Sequence, residues 1–189
     1  MSLSAVTRAT LLAAARYSIH QALDKGQACF SHANPDPALR ATCATFVTLK
    51  RHAVLRGCIG NLEANQSLLD DVMHNARLAA FQDPRFPPLV AAELQDLYVE
   101  ISVLSSSEAL AARSREELLR SLRPGEDGVI VQEGTRRATF LPAVWTRLPD
   151  KAQFYDELLR KAGLRSTHWS ADLQFFRYHT ETFGDREPT

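Results

Sequence analysis

Apolar residues recur along the chain with two different periods, and each change of period marks a new element. From about Ser4 to Leu23 the spacing is helical, with Val6, Thr10, Ala13 and Tyr17 beside Leu11, Ala15 and Ile19 on one broad face. Gly26 is placed to stop that helix. Ser31 to Pro37 holds two prolines with Asn and Asp, which predicts a loop. Cys43 to Lys50 is rich in β-formers, with Cys43, Val47 and Leu49 on one face. Arg51-His52-Ala53 then turns the chain into a second strand over Leu55–Gly60, giving a hairpin. Ser67 caps a helix whose stripe is Leu69, Val72, Met73, Ala76, Ala79 and Ala80, and the prolines at 84, 87 and 88 end it. Tyr98 to Leu104 alternates as a strand, with Val99, Ile101 and Val103 inward and Glu100 and Ser102 on the other face.

The same rhythm then returns. Ser114 to Glu117 is a capping box opening a short helix with Leu118, Leu119 and Leu122. Pro124 to Gly128 turns into Val129–Val131, and Glu133-Gly134 turns into a strand over Arg136–Leu141. Asp150 and Gln153 open a last helix that Gly163 stops, and Leu173 to Phe183 alternates as one closing strand. Helix, hairpin, helix and strand thus occur twice. The pattern predicts an α+β fold of two similar halves, about 1–104 and 105–189, sharing one largely antiparallel sheet in a single domain over 1–189. No Pro/Gly/Ser-rich linker divides the chain.

The sharpest chemistry lies in Leu55-Arg56-Gly57-Cys58-Ile59-Gly60. In an extended strand Leu55, Gly57 and Ile59 face one side, while Arg56 and Cys58 face the other, about 7 Å apart at their Cα atoms. Gly57 and Gly60 add no side chains, so a ligand or another backbone can come close. Cysteine acts as a nucleophile as its thiolate, and a nearby guanidinium favours that form. Arg56 and Cys58 are therefore the candidate catalytic residues. The bland reading stands beside this one, because free cysteine commonly packs as a small hydrophobe.

Composition narrows the function classes. The 189 residues are 45% hydrophobic and 23% charged, with 22 basic and 22 acidic residues and no formal net charge. A neutral chain without a basic cluster lacks the electrostatic footprint of a protein that binds duplex DNA or an anionic membrane surface. It also has little charge to oppose self-association. No apolar run reaches membrane-spanning length, and the start does not read as a signal peptide. Cys29, Cys43 and Cys58 are spaced 14 and 15 apart and read as reduced thiols of a cytoplasmic protein. There is no HExxH, CxxC, phosphate loop or dinucleotide fingerprint, so neither metal nor cofactor is expected.

Other candidates surround the motif. His52 could approach Cys58 across the turn, and His74 lies on the following helix. Glu100 sits mid-strand, on a solvated face or paired with a cation in a cleft. Asp83 and Arg85 flank Pro84 and are placed to pair with each other or to cap the helix before them. Arg136 and Arg137 face opposite sides, so one of them can reach a cleft.

The six-residue motif is identical to the signature of the AMMECR domain family. The resemblance continues through Ala79–Leu89, Glu100–Leu104, Pro124–Gly128, Arg137–Pro142 and Lys161–Leu164, and so covers nearly the whole chain. It is strongest toward the bacterial branch called AmmeMemoRadiSam system protein A, although Ala138 stands where many bacterial relatives have Gly. The resemblance implies two similar halves on one barrel-like sheet, a site in the cleft holding Arg56, Gly57, Cys58 and Gly60, and association with a Memo-like protein and a radical-SAM protein. The family's activity is unestablished. The chain lacks CxxxCxxC and is not itself the radical enzyme. Two readings stay open: an enzyme or enzyme subunit using Cys58 as nucleophile or covalent anchor, with Gly57, Gly60, Glu100, Asp83, Arg85 and Arg137 lining the cleft, or a non-catalytic adaptor or peptide-binding module of the same pathway.

Overall fold

In the computed structural model the described residues are 2–24 and 30–185, so Gly26 and Cys29 lie outside them. Helix α1 covers Ala5–Asp24, capped by Ser4, whose hydroxyl accepts from the Thr7 N–H at 3.1 Å. Its buried stripe runs through Leu11, Ala15 and Ile19 and is narrower than the spacing suggests, since Val6 and Ala13 are exposed. Strands β1 (Thr45–Arg51) and β2 (Val54–Gly60) form the first hairpin. Its two turn residues, His52 and Ala53, both take positive φ (48° and 62°), the backbone that a two-residue hairpin needs to match strand twist. Helix α2 (Leu68–Phe81) starts where Ser67 accepts from the Asp70 N–H at 3.2 Å. A 3₁₀ turn over Ala91–Asp96 leads into β3 (Leu97–Leu104).

The second part opens with a two-residue strand, β4 (Glu108–Ala109), and α3 (Arg115–Ser121), capped by Ser114. Strands β5 (Gly128–Glu133) and β6 (Arg136–Phe140) form the second hairpin, turned by Gly134 at φ 57°. Asp150 caps α4 (Lys151–Lys161), and β7 (Gln174–Tyr178) and β8 (Thr180–Gly184) follow.

One expectation fails here. Leu173 to Phe183 is not one closing strand but two, broken at His179 and given to different sheets. The reason is local. His179 donates its N–H to the Ser105 hydroxyl at 3.0 Å and accepts the Ser105 N–H at 2.9 Å, so both its backbone groups leave the ladder. The result is two four-stranded sheets, β2-β1-β3-β8 and β4-β7-β5-β6, in place of one shared barrel-like sheet, and no closed barrel forms. The class is α+β with antiparallel pairing.

The chain divides into two compact units, Met1–Leu104 with Glu181–Thr189, and Ser105–Thr180. In the first, α1 and α2 cover one face of the sheet, burying Leu11, Ile19, Val72 and Ala76 against Val47, Leu49, Val99 and Ile101. In the second, the core gathers Leu118, Val129, Val131, Phe154, Leu158 and Phe175, with Trp145 stacked on Phe154 at 3.7 Å between centroids.

Candidate functional site

The first sheet has a second face, turned away from α1 and α2, and strand register arranges it in rows. Thr48 on β1 pairs with Cys58 on β2 and with Glu100 on β3, so thiol, hydroxyl and carboxylate lie in one cross-strand row. Lys50 sits one row further along, opposite Leu55 and Tyr98. The Thr48 hydroxyl donates to Cys58 Sγ at 3.3 Å. Lys50 Nζ donates to Glu100 Oε2 at 2.9 Å and lies 5.5 Å from the Tyr98 ring centroid. Ser102 and Thr182 hydroxyls pair at 2.9 Å on the same face. Glu100 thus takes the paired form of its two readings.

Register also explains where Arg56 goes. Leu49 pairs with Gly57 and Lys50 with Leu55, so Arg56 is the extra residue of a bulge. Simple alternation, which places Arg56 beside Cys58, does not survive that bulge. The Arg56 guanidinium instead donates twice to Glu93, from Nε at 2.8 Å and Nη2 at 2.9 Å, in a fork-to-fork pair. Arg51 adds a further bond to Glu93 at 3.1 Å. Arg56 holds the Glu93 carboxyl down at about 2, against the cost of burial and with help from the Val90 N–H.

The cation next to Cys58 is Arg85. Strand β2 is the edge of its sheet, and the N–H and C=O of Cys58 point outward. Asp83 accepts the Cys58 N–H at 2.9 Å, and Arg85 Nη2 donates to the Cys58 carbonyl at 3.2 Å. The two side chains stand in for a neighbouring strand at this one residue. They are joined by Arg85 Nε to Asp83 Oδ1 at 2.9 Å and Nη2 to Oδ2 at 2.6 Å, and Asp83 also accepts the Arg85 N–H at 3.1 Å. Asp83 is 1% exposed and Arg85 54% exposed, so a buried anion anchors a cation that reaches solvent. Arg85 holds the Asp83 carboxyl far below the usual carboxylate range, over the opposing effect of burial and with the Cys58 N–H adding to it. The guanidiniums of Arg56 and Arg85 lie against Phe86, at 6.0 Å and 5.5 Å from its centroid.

The two glycines do not open space around the sulfur. A Cβ on Gly57 would lie 2.2 Å from the Ala79 carbonyl oxygen, so Gly57 lets the end of α2 press on β2. A Cβ on Gly60 would lie 2.4 Å from the Phe46 ring and from the Thr45 carbonyl oxygen, so that room is filled too. Beyond Gly60, Asn61 and Gln66 both donate to buried Asp71, which also accepts from Thr45 at 2.6 Å and Asn75 at 3.0 Å. Cys43 lies near this network, and burial, with the Asp71 charge second, pushes its thiol up.

The two histidine candidates of the first unit are not brought to Cys58. Arg137 is exposed on β6 of the second unit. His52 lies 3.8 Å from Asp96 and His74 is exposed on α2; neither bonds to Cys58. Among the described residues no group of three or more His, Cys, Asp or Glu is placed to hold a metal ion, and no helix is long and apolar enough to cross a membrane.

Residues 12–183 match the AMMECR1 family, most of the chain. The chain belongs to the AMMECR1 family. A protein of Thermofilum pendens is 34% identical over 202 residues, covering 98% of this chain and 93% of its own. A protein of Thermococcus onnurineus is 33% identical, covering 94% and 90%. The crystal structure of uncharacterized protein PH0010 from Pyrococcus horikoshii superposes with a TM-score of 0.86 at 32% identity, over 94% of this chain and 91% of that one. The similarity to these AMMECR1 proteins therefore reaches through both units.

Of the residues gathered around the motif strand, sequence reasoning missed Thr48, Lys50 and Glu93. Thr48 and Lys50 alternate with Val47 and Leu49 and are legible as a polar face, but an unbulged hairpin sets Thr48 opposite Gly57. Glu93 carries no local signal, because its partner is 37 residues away.

Proposed function

We propose that this AMMECR1 protein is an enzyme, or a subunit of one, that uses Cys58 as a nucleophile or covalent anchor. The observation that carries this reading is the row Cys58–Thr48–Glu100, in which the half-buried thiol receives a hydroxyl donor on the sheet face that also carries the Lys50–Glu100 ion pair. A thiol held on both backbone groups by Asp83 and Arg85 keeps a fixed position, which attack on a bound electrophile requires. Arg56 has a different part: its charge is spent on Glu93, and it fixes β2 rather than the sulfur. Gly57 and Gly60 support the same strand by admitting their neighbours. The proposed setting is the cytoplasm, with a Memo-like and a radical-SAM protein as working partners and no cofactor resident in this chain. The test is modification profiling of the wild type and of Cys58→Ser with those partner proteins present. A substrate turnover or a mass adduct that maps to Cys58 and vanishes in Cys58→Ser supports the reading, and an identical profile for both overturns it.

A second reading, a non-catalytic adaptor, is favoured by a different observation. Val54 (68% exposed), Leu55 (39%) and Val90 (56%) are large apolar side chains left in solvent, the first two on the edge strand itself. An adaptor would bind its partner equally well with Cys58→Ser and less well with Val54→Asp or Leu55→Asp.

A further inference from the structure

The Cys58 reading leaves open what governs the sulfur, and the side chain expected to do so is turned elsewhere. We propose that Thr48 and Arg85 are the positioning residues of Cys58, Thr48 holding the sulfur through its hydroxyl and Arg85 supplying the neighbouring positive charge. This inference rests on the proposed role of Cys58 and deepens it.

Three independent pieces of geometry meet at this residue. The first is register: the Arg56 bulge advances β2 by one residue, so that Cys58 rather than Gly57 stands opposite Thr48. Cys58 and Thr48 form a non-hydrogen-bonded antiparallel pair, the closer kind for side chains, since the Cys58 N–H and C=O are turned outward to Asp83 and Arg85. That closeness gives the 3.3 Å contact from the Thr48 hydroxyl to Sγ. The second is the clamp. Asp83, almost wholly buried, grips Arg85 with two bonds and grips Cys58 through its N–H, so guanidinium and cysteine are fixed to one carboxylate. The third is exclusion. Arg56 is committed to Glu93 by both arms of its fork, and Lys50 to Glu100. Arg85 alone among these three cations bonds to Cys58, and its own shift, upward mainly through Asp83, has smaller contributions from Cys58.

The test is alkylation of the native full-length chain by iodoacetamide at fixed pH, with Cys58 and Cys43 followed separately by peptide mass mapping. In that reaction Cys58 Sγ forms a bond to the methylene carbon, the carbon–iodine bond breaks, iodide leaves and the thiol proton passes to solvent. Thr48→Val and Arg85→Gln are each expected to slow Cys58 by about fivefold, the usual weight of one hydrogen bond, with the Cys43 rate unchanged. Thr48→Ser keeps the donor and Arg85→Lys keeps the charge, so each is expected to restore most of the rate. Such rescue is not the signature of a purely structural role, and Thr48→Ser gives a folded variant should Thr48→Val fold poorly. Wild-type Cys58 reacting no faster than Cys43 overturns the underlying reading and this inference with it. A fast wild-type Cys58 whose rate survives both Thr48→Val and Arg85→Gln overturns this inference alone.

Discussion

At the residue scale, the motif that dominates the sequence does two jobs, and most of its members do the structural one. Gly57 is required because a helix-end carbonyl occupies the position of its missing Cβ. Gly57→Ala is expected to destabilise the protein by about 1–3 kcal/mol, read as a lowered urea midpoint, because backbone cannot yield as a flexible side chain does. The Arg56–Glu93 pair predicts an acid limb in stability. The Glu93 carboxyl is depressed from 4.5 to about 2 in the fold, so the stability it contributes is complete above pH 4.5 and is lost as pH falls through about 2. Glu93→Gln should therefore flatten the pH dependence of the thermal midpoint between about 4.5 and 2, and an unchanged slope would mean that the pair contributes nothing. The sequence identified Cys58, Arg56, Asp83 and Arg85 as the residues of interest. It pairs Asp83 with Arg85, as the structure does, but not Arg56 with Glu93, because the choice of Glu93 over Cys58 for Arg56 depends on a single extra residue in a strand.

At the element scale, that bulge and the Asp83–Arg85 clamp decide what β2 can do. An edge strand exposes backbone groups to any passing chain, and here the clamp fills them at Cys58. The Cys58 amide has no strand partner on its outer side, so its protection from hydrogen exchange depends on Asp83. Asp83→Ala is expected to speed exchange at that amide by at least about tenfold, while amides of β1 that pair with β3 stay protected. Equal protection in both proteins would contradict the clamp. The boundaries of α2, α3 and α4 were legible, since Ser67, Ser114 and Asp150 each cap in the way their residue types and spacing suggest. Asp83 and Arg85, two and four residues after the helix, read as helix-end pairing, and nothing local indicates that they also serve the motif strand.

At the scale of the molecule, the antiparallel α+β character follows from alternation and hairpin turns, whereas the number of sheets does not. Leu173–Phe183 alternates strongly enough to read as one closing strand, and the Ser105 partnership of His179 divides it. That partnership also ties together the two ends of the second unit, whose core residues lie between Leu110 and Tyr178. A fragment spanning 105–180 is therefore expected to show a cooperative thermal transition by circular dichroism, and a non-cooperative melt would count against its having a core of its own. A fragment ending at residue 104 lacks β8 and loses Glu181, which pairs with Arg8 and accepts the Leu3 N–H, so it is expected to melt below the intact chain.

The central claim is that Cys58 is the chemically competent thiol of this AMMECR1 protein, and relative alkylation rates test it most directly. Burial and the Asp71 charge push the Cys43 thiol up and make it the slow reference within the same molecule. In native protein treated with limiting iodoacetamide near neutral pH, Cys58 is expected to be labelled about tenfold faster than Cys43, as read by peptide mass mapping. Labelling of Cys43 at an equal or greater rate would contradict the account.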